Sequence, residues 1–238
     1  MKNESESQAE DGKPTKEPQL LLVIAIAFVV CLLLSNLAAQ KLIQVFGYTF
    51  TAGILLFPVT YIFGDCLTEV YGYARTRSVI WCGLVASAFM AGFMALVVWI
   101  SPADGWPFQS SFSSVYAMVP RTVLGSIIAY WAGEFLNSYV LAKLKVINGG
   151  RRLWLRTILS TVFGQLLDTV LFLVIAFAGV LPTSLLIQAA WSGYIFKVLY
   201  EALATPFTYL IVNWLKHKEG IDVYDSQTNF SPFKFTSK

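Results

Sequence analysis

Apolar residues occupy the chain in long blocks separated by short polar punctuation. The runs "LLLVIAIAFVVCLLLSNLAA" (20–39) and "WCGLVASAFMAGFMALVVWI" (81–100) each hold twenty residues. Either is long enough, as a helix, to cross a hydrocarbon core of about 30 Å. Four further apolar blocks follow the same spacing but are interrupted by polar residues. The pattern predicts an all-α, polytopic membrane protein with six transmembrane helices, at 19–43, 50–71, 79–100, 117–143, 153–179 and 184–215. Residues 1–18, "MKNESESQAEDGKPTKEP", are polar and poor in aromatics, which predicts a disordered tail. A secretory-leader reading of the first block fails, because five acids against three lysines precede it and more spans follow. Residues 19–215 form the expected transmembrane domain, and 216–238 a C-terminal tail.

The distribution of positive charge orients these spans. Loop 72–78 carries Arg75 and Arg77, and loop 144–152 carries Lys145, Arg151 and Arg152. Lys216 and Lys218 follow the last span. The opposite loops, 44–49, 101–116 and 180–183, contain no lysine or arginine. Both termini are therefore expected in the cytoplasm. Loop 101–116, rich in Ser, Pro and aromatics, suits an outer lid or interfacial turn.

Composition agrees with this reading and narrows the chemistry. Only 13% of the 238 residues are charged, against about a quarter in a soluble domain. Cys31, Cys66 and Cys82 all fall in apolar spans, where an odd set reads as small hydrophobes and not as a disulfide framework. The single histidine, His217, lies beyond the last span, so no histidine-based metal site, triad or proton relay is available. No P-loop sequence occurs, which excludes ATP hydrolysis by that route. No cofactor or metal is expected.

Several charges nevertheless fall inside the spans. Asp65, Glu134, Asp168 and Glu201 lie well within them, and Glu69 lies nearer the cytoplasmic end of the second. Lys197 sits near the middle of the sixth, and Arg121 at the outer end of the fourth. A carboxylate in hydrocarbon costs roughly 2.5–3.5 kcal/mol on insertion scales. Five acids against two bases cannot all be neutralised in pairs, so some must be protonated, hydrated or matched by a ligand. Structural alternatives exist for three of these charges. Glu69 could meet Arg75 or Arg77, Lys197 could pair with Glu201 at i,i+4, and Arg121 could be an outer-surface anchor. Asp65 and Asp168 have no cation within one turn on their own helices and read as functional.

Their neighbours form polar stripes. Gln165, Asp168 and Phe172 share one face of the fifth predicted helix, and Tyr61, Asp65, Thr68 and Glu69 one face of the second. Asn36 and Gln40 stand one turn apart on the first, and Tyr194, Lys197 and Glu201 share the sixth. Interhelical hydrogen bonding would explain one such stripe; four point to a hydrated central cavity. A carboxylate, an amide and a ring together can recognise a planar polar heterocycle. Gly83, Ser87, Ala91 and Ala95, at every fourth position of the third helix, are a small-residue packing row. "TYIFGDCLTEV" (60–70) and "STVFGQLLDTV" (160–170) echo one another weakly, as two inverted halves of a transporter would.

The combination "FPVTYIFGDCLTEVYG" (57–72), Arg75, "GQLLDT" (164–169) and the ending "GIDVYDSQTNFSPF" (220–233) resembles the queuosine precursor transporter family of the vitamin-uptake group. The resemblance runs from about residue 30 to the C-terminal tail. It implies six helices in a bacterial inner membrane and import of 7-cyano-7-deazaguanine, 7-aminomethyl-7-deazaguanine or queuine for salvage into tRNA queuosine. On that implication the substrate-binding candidates are Asp168 with Gln165, then Asp65 with Glu69, together with Tyr61, Asn36, Phe172, Lys197 and Glu201. Phe57, Trp191 and Tyr194 are further stacking candidates. The expected partners are a purine-like small molecule and the lipid bilayer, with no direct nucleic-acid contact. Self-association and an external energising module stay open. A capture subunit docking on an ATPase is the alternative from outside this family's mode of action. An intramembrane aspartyl protease fits less well, because "IFGD" lacks the first glycine of its G-x-G-D pattern and the partner motif is missing.

Overall fold

The computed structural model describes residues 18–38, 41–45, 48–116, 120–179, 182–226 and 228–233. The predicted N-terminal tail, apart from residue 18, lies outside the described residues, as do Gln40 and the Arg121 side chain. The fold is helical except for one hairpin. In order, α1 is Leu21–Ala38, β1 Leu42–Val45, β2 Tyr48–Thr51, a 3-10 turn Ala52–Leu55, α2 Phe57–Tyr71, and α3 Tyr73–Trp99. Then come α4 Gln109–Tyr116, α5 Pro120–Ile147, α6 Leu153–Phe177 and α7 Thr183–Glu219. Among the described residues, α1, α2, α3, α5, α6 and α7 overlap the six predicted segments, and α4 is a short addition within 101–116.

Among the described residues, four helical segments are long and apolar enough to cross a membrane: Leu21–Ala38, Tyr73–Trp99, Leu153–Ile175 and Ala190–Glu219. Their outward faces are bare apolar surface. On α3 this face carries Val85, Phe89, Phe93 and Leu96, and on α7 Leu199, Leu203, Phe207 and Leu210. A water-soluble monomer rarely exposes so continuous an apolar area, whereas lipid tails cover it without cost. At about 1.5 Å per residue, α2 is only about 22 Å long, shorter than the hydrocarbon core. It is also the helix at the centre of the fold, packed on α1, α3, α5 and α7. Every residue from Gly64 to Tyr71 is buried.

Several boundaries differ from the sequence-based expectation, and α5 runs four residues past its expected limit, to Ile147. The first two predicted spans run too far towards each other, because β1 and β2 pair antiparallel, with Leu42 opposite Thr51 and Val45 opposite Tyr48. Short apolar runs rich in β-branched and aromatic residues cannot be assigned by periodicity alone. The loop expected at 72–78 shrinks to one residue. Gly72 has φ +85°, ends α2 by donating its N–H to the Thr68 carbonyl, and accepts from the Thr76 N–H. A Cβ there would lie 2.6 Å from Val223 Cγ1, so the tight turn needs glycine both for conformation and for space. Arg75 and Arg77 therefore stand on α3, not in a loop. Finally, α7 continues to Glu219, four residues past the expected limit.

Close packing positions the interior. A Cβ on Gly133 of α5 would lie 2.9 Å from the Gly164 carbonyl oxygen of α6, and one on Gly164 would lie 2.9 Å from that of Gly133. The two helices cross with backbones nearly touching, as small residues permit in membranes. The α3 row behaves similarly at its inner end, where Gly83 meets Leu32 and Phe28 of α1. Further out, Ala91 and Ala95 line an apolar cleft of about 310 Å³ that also includes Asn36 and Ile127.

Candidate functional site

Two polar layers lie within the bundle. The first is a central chamber. Asp65 and Tyr61 reach it from α2, Tyr130, Glu134 and Asn137 from α5, Gln165 and Asp168 from α6, and Glu201 from α7; all are buried. Tyr130, Glu134 and Asn137 follow one another at i, i+4 and i+7, so α5 presents one continuous polar face. The closeness of Gly133 to its neighbours brings the layer together. A Cβ there would meet Asp168 Cβ at 2.7 Å and the Tyr61 hydroxyl at 3.2 Å.

Few of these groups satisfy one another. Asn137 Nδ2 donates to Asp65 Oδ1 at 2.8 Å. Lys197 Nζ donates to Asp168 Oδ2 at 2.6 Å and lies 4.7 Å from the centre of the Phe57 ring. The Tyr61 and Tyr130 hydroxyls, Asp65 Oδ2, both Glu134 oxygens, Gln165 Oε1 and Glu201 Oε1 have no hydrogen-bond partner among the described residues. Native interiors pair nearly all such atoms. Bare acceptors thus stand beside two tyrosine hydroxyls. Its wall towards α1 is aromatic. The Phe57, Tyr61 and Tyr130 rings stand 5.6, 5.9 and 6.2 Å apart, pair by pair, with Phe28 beyond Tyr130.

The second layer closes the chamber at the end where the basic segments gather. Glu69, one turn below Asp65 on α2, holds Arg156 of α6 through both carboxylate oxygens. It also accepts from Lys216 of α7 at 2.7 Å, with Lys145 of α5 at 3.6 Å. Neither Arg75 nor Arg77 is its partner. Arg75 turns to the Tyr71 carbonyl at 3.4 Å, and Arg77 to the C-terminal segment. Lys197 likewise pairs across helices with Asp168, not along α7 with Glu201.

Within the predicted C-terminal tail, residues 220–226 and 228–233 form a docked strap. Lys145 Nζ donates to Asp222 Oδ1 at 2.5 Å and to the Val223 carbonyl at 2.7 Å. The Asp225 carboxylate accepts the Tyr73 N–H at 3.0 Å. Arg77 donates to the Asn229 and Ser231 carbonyls at 2.8 and 2.6 Å, and Trp81 Nε1 to that of Pro232 at 2.8 Å. Phe230 packs between Tyr73 and Tyr139. Glu219 accepts the N–H groups of Gln19 and Leu20 and so ties the start of α1 to the end of α7.

Burial opposes ionisation of Asp222, but hydrogen bonds from Lys145 and Lys216 outweigh it and hold the carboxyl below the usual carboxylate range. Its docked value lies below the undocked one of about 3.9, so the ionic anchor is complete above that value and is lost only as pH falls through the docked one. Protection of the strap from a nonspecific protease is expected to be constant around neutral pH and to fail only in strong acid.

Of the sequence candidates, Asp65, Asp168, Gln165, Tyr61, Lys197 and Glu201 come together in the chamber. Phe172 is half-buried one turn beyond Asp168. Glu69 belongs to the lower layer. Asn36 lies apart, with Nδ2 3.4 Å from Ser87 Oγ and Oδ1 3.4 Å from Ser126 Oγ, beside the outer cleft. Trp191 is 64% exposed on the apolar outside, and the Tyr194 hydroxyl bonds the Val162 carbonyl at 3.3 Å. Tyr130, Glu134 and Asn137 were not among the candidates, although their spacing on "YWAGEFLN" carried the signal. In the 60–70 and 160–170 echo, Gly64 and Gly164 are both pressed against α5, at Glu134 and at Gly133 with Asn137.

A helical bundle with apolar outer walls and a buried polar interior is the architecture of a multi-pass membrane protein. The chain belongs to the family described as "Putative vitamin uptake transporter", whose model matches residues 51–211. It is 28% identical over 186 residues to the "Probable queuosine precursor transporter" of Bacillus subtilis, covering 78% of this chain and 81% of that one. It is 24% identical over 188 residues to the "Queuosine precursor transporter" of Escherichia coli, covering 78% and 82%. A Haemophilus influenzae protein with the former name is 25% identical over 154 residues, covering 65% and 62%. No solved structure matches the chain. The protein is a transporter and not an enzyme.

Proposed function

We propose that this chain imports 7-deazaguanine precursors of queuosine across a bacterial inner membrane. In this reading six helices cross the bilayer, 19–215 is the transport domain, and both termini face the cytoplasm. The observation that carries it is the chamber's surplus of buried acceptors beside an aromatic wall. A guanine-like heterocycle offers adjacent N–H donors on one edge and a flat face for stacking, which meets both needs. The printed names of the bacterial relatives support the same substrate class. Asp168 with its Lys197 partner, Gln165, Asp65, Tyr61 and Glu201 line the ligand space, with Phe172 at its margin. Glu69 serves as the cytoplasmic seal, and Asn36 marks the outer approach.

The gathering of Arg77, Lys145, Arg156 and Lys216 at one end supports the orientation, because that end would face the cytoplasm. A purine-like ligand that carried an aminomethyl cation would also suit the acidic excess. Energy coupling without any histidine in the spans would run through a carboxylate, or be replaced by metabolic trapping.

The test is uptake of labelled precursor at low concentration in cells unable to make it, comparing the parent with Asp168→Asn at matched membrane abundance. The parent is expected to accumulate label and the variant to lose at least about tenfold of the initial rate, the scale of one charged hydrogen bond. Equal uptake would remove Asp168 from the site, and no uptake by an abundant parent would overturn the substrate. Collapse of uptake on adding a protonophore would indicate proton drive. An ATPase co-purifying with the chain would instead favour a capture subunit.

A further inference from the structure

Resting on the substrate class just given, we infer that Glu134 is the specificity-determining residue: its two carboxylate oxygens accept the ring N–H and the exocyclic amino N–H of the ligand's donor edge. A bidentate reader needs two free acceptor atoms on one carboxylate. Most of the other buried acids are engaged. Glu69 is held by Arg156 and Lys216, Asp168 by Lys197, and Asp65 accepts from Asn137 through one oxygen. Glu201 has one bare buried oxygen. Glu134, with no exposed surface, has both carboxylate oxygens buried and without a hydrogen-bond partner among the described residues.

The surrounding backbone is cut to fit this side chain. Position 64 of α2 is glycine, and a Cβ there would collide with Glu134 Oε1. The carboxylate thus lies directly against the α2 backbone, one residue before Asp65, in the middle of the chamber. Tyr130, one turn earlier on α5, and Tyr61 of α2 bring ring faces and unpartnered hydroxyls to the same place. Both hydroxyls lie within electrostatic reach of Glu134 and Asp168. Beside the donor edge of a guanine-like ring stands a carbonyl oxygen, and the Lys197 ammonium on Asp168 is the cation available to it. Glu134 therefore selects for the 2-amino group, while Asp168 acts through Lys197.

The experiment is competition against labelled deazaguanine precursor by unlabelled 7-deazaguanine and by 7-deazahypoxanthine, which lacks the 2-amino group. The parent, Glu134→Gln and Gly64→Ala are compared at matched membrane abundance, and by binding to purified protein where transport is lost. In the parent, removing the 2-amino group is expected to weaken competition about 10- to 100-fold, the scale of one hydrogen bond to a charged group. In Glu134→Gln, which replaces one acceptor by a donor, that preference is expected to fall to near unity. Gly64→Ala, which displaces the carboxylate without removing it, is expected to reduce the preference as well. Should only one variant accumulate, it decides alone. A variant that binds ligand with the parent's full 2-amino preference would overturn the role of Glu134. A parent that handles no deazaguanine at all would overturn the substrate reading instead.

Discussion

Arg156→Ala is expected to cost about 3 kcal/mol of stability, the lower part of the range for breaking a buried ion pair. Arg156 and Glu69 are each 1% exposed. Removing the guanidinium deprives a buried carboxylate of its two-pronged partner, and also leaves the Gly150 and Arg151 carbonyls without their donor. Lys216 and Lys145 remain beside Glu69, which keeps the loss from reaching the upper part of the range. For a chain of this size, about 2–4 °C per kcal/mol gives a fall of about 6–12 °C in the unfolding midpoint of the purified protein in detergent. Glu69→Gln combined with Arg156→Met should recover most of it, because the expense lies in the uncompensated charge and not in the absence of a pair. An unchanged midpoint in Arg156→Ala would show that the lysines alone suffice.

Lys197→Met is expected to reduce initial uptake at least about tenfold at matched abundance, since Asp168 would keep its charge and lose its cation. The informative variant is the double one. If the pair merely holds α6 to α7, Lys197→Met with Asp168→Asn removes both charges together and should transport near the parental rate. If both residues face the ligand, the double variant should be no better than the poorer single one. Double-mutant coupling of this kind separates a shared structural role from a shared site. Loss of uptake with retained ligand binding would assign the pair to movement between states.

The single sequence determined a good deal of this protein, because the bilayer imposes a one-dimensional rule: a spanning segment must be long, apolar and helical to satisfy its own backbone. The runs at 20–39 and 81–100 obey it, and α1 and α3 stand there. The same rule made Asp65, Asp168 and Glu201 conspicuous, since acids in such runs need a reason. The motif at 57–72 was legible as a family mark, and it forms the central helix.

What the tertiary structure decided was partnership. Lys197 was legible as a partner for Glu201, yet it bonds Asp168; Glu69 was legible as a partner for Arg75 or Arg77, yet it bonds Arg156 and Lys216. Spacing along one helix fixes only which residues share its face, whereas a cross-helix pair depends on how neighbouring helices are rotated and how closely they approach. That approach is set by contacts such as Gly133 on Gly164, which carry no charge and no period. The strap of residues 220–226 and 228–233 shows the same limit, because its carbonyls and carboxylates find donors only once α3 and α5 present Arg77, Trp81 and Lys145 together. Glu134 was one acid among several in the sequence; only the tertiary packing, with Gly64 against it, left both of its oxygens without a partner among the described residues.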